Sequence, residues 1–180
     1  MVYLFLAEGF EEVEALTPVD YLRRAGISVT TVGIGGEYIT GAHGITVKAD
    51  VSDKDVCAEC SSIDMVVLPG GMPGTLNLAA SETVCAFIKK AVERNAFVAA
   101  ICAAPSILGE MGLLAGKEAI CYPGFEEKLI GAAVSTSKVV RDGNVITAKA
   151  AGCADLFAAE LIAALKDKES AEKVLASVFA

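Results

Sequence analysis

The sequence predicts an α/β fold in which a mostly parallel sheet is covered by helices on both faces and carries one added β-hairpin. Short apolar runs alternate with longer helical stretches, and the runs lack the strict alternation of half-exposed strands. The pair Asp142-Gly143 lies between two β-branched runs and is typical of a hairpin turn. Because the 180 residues contain no linker, repeat or low-complexity tract, we expect a single domain spanning residues 1–180.

The predicted strands share a short, apolar and β-branched composition that suits burial on both faces of a sheet. They span residues 2–6, 27–32, 63–68 and 96–101, with a hairpin of 139–141 and 144–147. The predicted helices share capping or first-turn residues at their starts. They span residues 11–25, 81–94, 153–166 and 171–179, the last capped by Ser170, with a further helix opening at Pro105. Pro18 has no N–H for the carbonyl of Glu14, so we expect the first helix to kink or break there.

Composition limits the classes of function. The chain has 15 Lys and Arg against 23 Asp and Glu, and this net charge of -8 disfavours a surface that follows nucleic-acid phosphates. Apolar residues make up 54% of the chain, too many for a disordered protein. Gly and Pro interrupt the uncharged stretches before they reach the ~20 residues of a membrane span. The start lacks the basic flank of a secretory signal. We therefore expect a cytoplasmic protein with no membrane or nucleic-acid partner.

The six cysteines are expected to be free thiols, since nothing in the sequence indicates an oxidising compartment. Cys57 and Cys60 have the CxxC spacing of zinc sites and redox pairs. The chain has one histidine, His43, and no second CxxC, so a metal site is not expected and a coincidental spacing is the favoured interpretation. The cysteines of apolar or helical stretches are interpreted as small buried hydrophobes. These are Cys85, Cys121 and Cys153.

Parallel sheets bind ligands beyond the carboxyl ends of their strands, which selects the loops after Leu6, Leu68 and Ile101. Cys102 follows Ile101 directly, at a strand-to-helix turn with small residues on both sides, as a nucleophile elbow requires. The turn would place its sulfur near a helix N-terminus, which favours a thiolate with a lowered pKa. The alternative is a cysteine buried in the core.

The other two loops supply partners for this cysteine. Gly70 and Gly71 follow Leu68, and such a pair lets backbone N–H groups approach a ligand as an oxyanion hole needs, although alone it is only a turn. Glu14 is expected to turn inward, where an apolar pocket would raise its pKa and let it hold a proton. Glu11 and Glu12 are interpreted as solvated acids that compensate the helix dipole.

These segments together carry a resemblance to a known family. They read EGFEEVE at 8–14, PVD at 18–20, RRAG at 23–26, VVLPGG at 66–71 and AICAAP at 100–105. In order and spacing the chain resembles the ThiJ/PfpI family nearly from end to end, and more narrowly its DJ-one-like branch, which contains a Parkinsonism-associated deglycase. The resemblance implies a flavodoxin-like three-layer sandwich, a homodimer, and an active site of Cys102 with Glu14. The oxyanion-hole amides of the family would fall on Gly71 and Ala103, and no metal or organic cofactor is implied.

Three positions qualify the resemblance. Ala103 stands where the peptidase-like and chaperone-like branches have a histidine, so a Cys-His dyad through this position is excluded. Tyr122 stands where the nearer branch often has a pocket histidine, and a phenol can donate a hydrogen bond but cannot act as a base near pH 7. Proton transfer would then fall to Glu14. His43 lies where the family has a loop near the partner's pocket. Two interpretations stay open: His43 has a role across that interface, or it is an ordinary loop histidine.

Two functions are compatible with these residues. The first is an enzyme in which Cys102 attacks an α-oxoaldehyde such as methylglyoxal, or its adduct on a protein, as a glutathione-independent glyoxalase or deglycase. The second is a redox sensor or redox-regulated chaperone that works through oxidation of Cys102 to the sulfinate. Because both need the same activated cysteine, the motif alone does not separate them.

Overall fold

The computed structural model describes all 180 residues. The strands are β1 (Val2–Leu6), β2 (Val29–Gly33), β3 (Tyr38–Thr40), β4 (Thr46–Lys48), β5 (Val51–Ser52), β6 (Met65–Leu68), β7 (Phe97–Ile101), β8 (Glu118–Ala119), β9 (Ala133–Val134), β10 (Val139–Asp142) and β11 (Val145–Ala148). The helices are α1 (Glu12–Arg24), α2 (Gly74–Ala80), α3 (Glu82–Glu93), α4 (Pro105–Glu110), α5 (Ala154–Leu165) and α6 (Lys168–Val178). None of these helices is long and apolar enough to cross a membrane.

Seven strands form the central sheet in the order β10-β11-β7-β6-β1-β2-β5. Every neighbouring pair runs parallel except the hairpin of β10 with β11. The predicted mostly parallel sheet with one added hairpin is therefore confirmed. The strands at the centre of this sheet are nearly continuous apolar runs, because both of their faces are covered.

Two apolar cores lie on opposite faces of the sheet. One packs α2, α3 and α4 against the sheet, and in it Phe87 of α3 contacts the rings of Tyr3 and Phe5 at centroid distances of 4.8 and 5.2 Å. The other packs α1, α5 and α6 against the opposite face, where Leu4 and Leu6 of the same strand point. Alternate residues of β1 thus serve both cores, and the result is a flavodoxin-like three-layer sandwich.

The topology brings three strand ends together at one edge of the sheet. β1, β6 and β7 are neighbours and run parallel, with Leu68 opposite Ala100 in the register of the second pair. The loops that follow Leu6, Leu68 and Ile101 therefore meet above the middle of the sheet, which is where such folds bind ligands.

The structure corrects the sequence prediction at two helix positions. Helix α1 continues from Glu12 to Arg24 through Pro18, which is buried, so the expected break is wrong: the loss of one backbone N–H does not end this helix. Helix α6 begins at Lys168 rather than at 171, because the carboxylate of Asp167 accepts from the amide of Ser170 at 2.7 Å and is the N-cap.

Candidate active site

Cys102 lies at the sharp turn between β7 and α4. Its φ of 65° is in the left-handed region, which a residue with a Cβ rarely adopts. Backbone hydrogen bonds fix this turn: the Cys102 amide donates to Ala148 at 2.9 Å, and its carbonyl accepts from the amide of Tyr122 at 2.7 Å. A strained backbone that its surroundings hold in place is characteristic of reactive residues, and here it presents a half-buried thiol.

Gly70 joins the cysteine to Glu14. Its amide donates to Oε2 of Glu14 at 2.9 Å, and the Glu14 side chain is only 1% exposed. A Cβ on Gly70 would lie 2.7 Å from the Cβ of Cys102 and 2.7 Å from the same Glu14 oxygen. Only glycine therefore fits between these two side chains. The Gly70 carbonyl also accepts from the amide of Glu11 at 3.0 Å, which ties the start of α1 to this loop.

The sulfur of Cys102 lies beside the Glu14 carboxyl group, and the backbone amides of Gly71 and Ala103 favour its ionised form. Gly71 has a φ of +91°, and a Cβ there would lie 2.5 Å from the carbonyl oxygen of Gly9. Position 71 therefore requires glycine, both for its backbone conformation and for the space that it leaves. The structure brings together the residues that the sequence analysis selected as nucleophile, proton carrier and oxyanion-hole amides.

Burial dominates the ionisation of both reactive groups. It raises the pKa of Glu14 from an ordinary 4.5 to about 7, against the opposing hydrogen bonds from Cys102 and Gly70. Burial, and then the negative charge of Glu14, raise the pKa of Cys102 to about 12, although the amides of Ala103 and Gly71 oppose this. The prediction of a lowered pKa for the Cys102 thiol is therefore wrong. Between these two values the pair holds a single proton, which either the carboxylate or the sulfur can carry.

Tyr122 contacts the site through its backbone. Its amide makes the 2.7 Å bond to the Cys102 carbonyl, whereas its side chain is 47% exposed. The residue therefore supports the turn that carries the nucleophile. A pocket role for the phenol stays a prediction.

A second buried carboxylate lies beside the site and was missed. Glu12 is 4% exposed, not solvated as the sequence analysis expected. One of its oxygens accepts from the amides of His43 at 2.9 Å and Ile45 at 3.4 Å, and the other lies 2.9 Å from Nδ1 of His43. Gly41 leaves the space, since a Cβ there would lie 2.7 Å from Cγ of Glu12. The glycines on both sides of His43 were the available signal of a closely packed loop.

His43 lies within reach of two carboxylates of its own chain. Its Nδ1 is 3.2 Å from Glu11 and 2.9 Å from Glu12, and these three side chains offer possible ligand atoms within 4.8 Å of one another. Burial raises the pKa of Glu12, but the hydrogen bonds from the ring of His43 and from backbone amides outweigh it, so the pKa is lowered, while the contact with Glu12 raises the pKa of His43. Since the Glu12 carboxylate is satisfied by these donors, the cluster is explained without a metal ion.

The chain belongs to the DJ-1/PfpI family, whose model matches residues 1–164. It is 36% identical to the protein dj-1beta of Drosophila melanogaster over 174 residues, which are 95% of this chain and 92% of that protein. It is 34% identical to a protein named as a deglycase from Pyrococcus abyssi over 160 residues, which are 87% of this chain and 93% of that protein.

Solved structures agree with the fold. The structure of DJ-1 from Toxoplasma gondii, described as oxidized, superposes with a TM-score of 0.94 at 32% identity and covers 99% of this chain and 97% of that chain. The structure of Drosophila melanogaster DJ-1beta superposes with a TM-score of 0.92 at 33% identity and covers 99% and 97% of the two chains. Both the family and the flavodoxin-like fold expected from the sequence are confirmed.

Proposed function

We propose that this protein is a stress-protection enzyme that acts on reactive α-oxoaldehydes, either free or as early adducts on proteins, without a metal or organic cofactor. The observation that carries the proposal is the arrangement around Cys102: a thiol at a strained turn, with only Gly70 between it and the buried carboxyl group of Glu14. The relatives from two Pyrococcus species that are named as deglycases support this class of substrate.

Glu14 is the proton carrier in the first step of the proposed reaction. As the sulfur of Cys102 adds to the aldehyde carbon of methylglyoxal, the thiol proton passes to the Glu14 carboxylate, whose pKa of about 7 suits a base at neutral pH. The former aldehyde oxygen becomes negative and accepts hydrogen bonds from the amides of Gly71 and Ala103. Glu14 then returns the proton to this oxygen, which gives a hemithioacetal.

The second stage converts the hemithioacetal into lactate. Glu14 removes the proton from the carbon bonded to sulfur and delivers it to the neighbouring carbonyl carbon, while the hydroxyl proton moves from the first oxygen to the second. The product is a thioester of lactate on Cys102, which water hydrolyses to lactic acid and the free thiol. Methylglyoxal and water thus give lactic acid, and no electrons leave the substrate.

Replacement of the nucleophile tests the proposal. Cys102→Ser removes the reactive sulfur and little volume, so we expect lactate formation from methylglyoxal without glutathione to fall by about 1,000-fold or more while the fold is kept. Cys85→Ser is the matched control, because Cys85 is a half-exposed thiol outside the site. Turnover in Cys102→Ser equal to that of the unmodified chain would remove this cysteine from the mechanism.

A second candidate is a redox sensor or redox-regulated chaperone. Once Glu14 has taken the proton of the Cys102 thiol, peroxide would oxidise the resulting thiolate to the sulfenate with release of water, and a second peroxide would give the sulfinate. The Gly71 and Ala103 amides could then donate to its oxygens, as could a protonated Glu14. The relative whose structure is described as oxidized favours this candidate. Stoichiometric sulfinate formation without repeated turnover of methylglyoxal would support the sensor over the enzyme.

We also propose that the chain forms a homodimer through α1. Val13 and Leu16 on this helix and Ile45 in the neighbouring loop are large apolar side chains exposed to solvent beside the Glu12–His43 contact. Light scattering at micromolar concentration should give the mass of two chains. Val13→Glu should shift the equilibrium toward the monomer, whereas Ile130→Glu, at another exposed apolar position, should not. A monomer mass for the unmodified chain would contradict the dimer.

A further inference from the structure

Two exposed cysteines lie close together far from the active-site turn. Cys57 and Cys60 flank a tight turn between β5 and β6, in which the amide of Cys60 donates to the carbonyl of Cys57 at 3.2 Å. Ala58, between them, is buried in the core beneath the sheet. Because the turn is anchored by this inward residue, both thiols are left on the outer side, where a reagent in solution can reach them.

The turn is also held from outside by helix α3. Arg94, the residue directly after this helix, donates to the carbonyl oxygens of Glu59, at 3.0 Å, and Ser61. Lys90 pairs with the Glu59 carboxylate at 2.8 Å, and the Ser61 hydroxyl donates to the Cys57 carbonyl at 2.7 Å. These four contacts hold the backbone of the turn that carries the two cysteines.

The two thiols differ in chemical character because their pKa values are shifted in opposite directions. The Cys60 amide, the Cys60 thiol and the Glu59 amide all donate to the sulfur of Cys57 and lower its pKa. The contact with Cys57 raises the pKa of Cys60, so this thiol keeps its proton. Such a difference is typical of CxxC pairs, in which one sulfur attacks first and the other completes the reaction.

We propose that Cys57 and Cys60 form a dithiol site that exchanges with the disulfide bonds of small molecules or proteins, separate from Cys102 and its chemistry. The Cys57 thiolate attacks one sulfur of a disulfide, forms a mixed disulfide and expels the other half as a thiolate. Cys60 then loses its proton and attacks the Cys57 sulfur, which expels the second half. The site is oxidised to a disulfide by loss of two hydrogens, and the partner disulfide is reduced to two thiols.

The dithiol site and Cys102 differ in the size of the reactants that can reach them. Cys102 is half-buried beside a carboxyl group that supplies a base for its proton, which suits a small substrate. Cys57 and Cys60 are exposed and have each other as the second reacting group, which suits disulfide exchange with bulky partners. The dithiol site therefore does not rest on the proposed function of Cys102.

Oxidised glutathione is the probe for this proposal. The reduced full chain would be incubated with it at pH 7, quenched with acid, alkylated with N-ethylmaleimide and mapped by peptide mass spectrometry. We expect the peptide with Cys57 and Cys60 to lose two hydrogens without retaining an adduct. In Cys60→Ser, a glutathione adduct should accumulate on Cys57. In Cys57→Ser, the adduct on Cys60 should form about 10-fold more slowly than the adduct on Cys57 forms in Cys60→Ser, because the backbone amides of Glu59 and residue 60 lower the pKa of Cys57 and not that of Cys60.

Two control variants separate this site from the other thiols. Cys102→Ser and Cys85→Ser should each form the Cys57–Cys60 disulfide at the rate of the unmodified chain. A disulfide that needs Cys102 would overturn the proposal, as would adducts on both CxxC cysteines, a pair that stays reduced, or equal adduct rates in the two single variants. Since glyoxal turnover is not measured, a failure here is distinct from a failure of the proposed enzyme.

Discussion

Glu12 and Glu14 are two residues apart on α1 and both are buried, yet their pKa values move in opposite directions. Two residues turn a helix by about 200°, so the two side chains leave opposite faces. Glu12 points to the loop that contains His43, whereas Glu14 points to Gly70 and Cys102.

The difference between them lies in the hydrogen-bond donors. Glu12 accepts from two backbone amides and from the ring of His43, and these donors outweigh burial, so the Glu12 carboxylate stays ionised. Glu14 accepts from the amide of Gly70 and faces a thiol, which do not compensate for its burial. Burial therefore does not decide which carboxyl group carries a proton at neutral pH. What decides it is the number and charge of the groups that donate hydrogen bonds to each carboxyl group.

The largest expected contrast is in catalysis. Glu14→Gln keeps the shape of the side chain but cannot take the thiol proton, so turnover of methylglyoxal should fall by about 100-fold or more. Glu12→Gln should leave turnover within about fivefold, because Glu12 does not contact the sulfur. Glu14→Asp keeps a proton carrier but withdraws it by one methylene. Its turnover should lie between that of Glu14→Gln and that of the unmodified chain.

The same variants report on the thiol. Since the negative charge of Glu14 is one cause of the raised pKa of Cys102, its removal should lower that pKa and increase alkylation of Cys102 at pH 8. Alkylation against pH, measured beside turnover, separates loss of the base from damage to the site. If Glu14→Gln turned over like the unmodified chain, proton transfer would have to be assigned to another group.

The next contrast is in the pH dependence of stability. The pKa of Glu14 is about 7 in the folded state against an ordinary 4.5, so the protonated group stabilises the fold fully below pH 4.5 and this contribution is lost as the pH rises through 7. Over this interval the unmodified chain should lose on the order of 3 kcal/mol of unfolding free energy relative to Glu14→Gln. Urea unfolding between pH 4.5 and 8 measures this difference. Parallel stability curves for the two proteins would contradict the raised pKa.

The central sheet was predictable because its signals are local. The apolar runs of β1, β6 and β7 and the Asp142-Gly143 turn each lie within a few residues of sequence, and each is where the prediction placed it. Strand β5, which has two residues at the edge of this sheet, and helix α2 were not predicted. Strands β3, β4, β8 and β9 were not predicted either. They are two or three residues long and pair in two small separate sheets, so they have no apolar run long enough to reveal them.

The site was predictable only in part, for a similar reason. Cys102, Gly70 and Gly71 follow the ends of apolar strands, which marks them in the sequence. The role of Glu12 depends on the amides of residues 43 and 45, which are 31 and 33 positions away and leave no local pattern. The pKa of Cys102 likewise depends on burial by the folded chain and on Glu14, and these outweigh the turn geometry from which a lowered value was expected.

A smaller expected effect is the difference between Glu12→Gln and Glu14→Gln in unfolding free energy at a single pH. Glu12→Gln replaces a charged acceptor of hydrogen bonds by a neutral amide, so at pH 6 it should lower the unfolding free energy by about 2 kcal/mol. At the same pH Glu14→Gln should be less destabilising, since Glu14 is already largely protonated below its pKa of about 7. Urea unfolding of both variants makes the comparison. Greater destabilisation by Glu14→Gln would reverse our assignment of the charged and the neutral side chain.

The smallest expected effect belongs to His43, and its sign depends on pH. The contact with Glu12 raises the pKa of His43 above 6.5, so the stabilisation from its charge is fully present below pH 6.5 and is lost as the pH rises through the folded value. The lowered pKa of Glu12 makes the carboxylate's contribution fully present above pH 4.5, and it is lost as the pH falls through the folded value. The pair therefore stabilises the fold most between these two limits.

The imidazole is 68% exposed and both backbone donors to Glu12 remain in His43→Gln, so this variant should lower Tm by only about 2 °C at pH 5.5 and by less at pH 8. Calorimetry at both pH values tests this, with Glu12→Gln measured in parallel. An equal fall in Tm at both would mean that the ring acts as a neutral donor, and that the backbone amides alone keep Glu12 ionised.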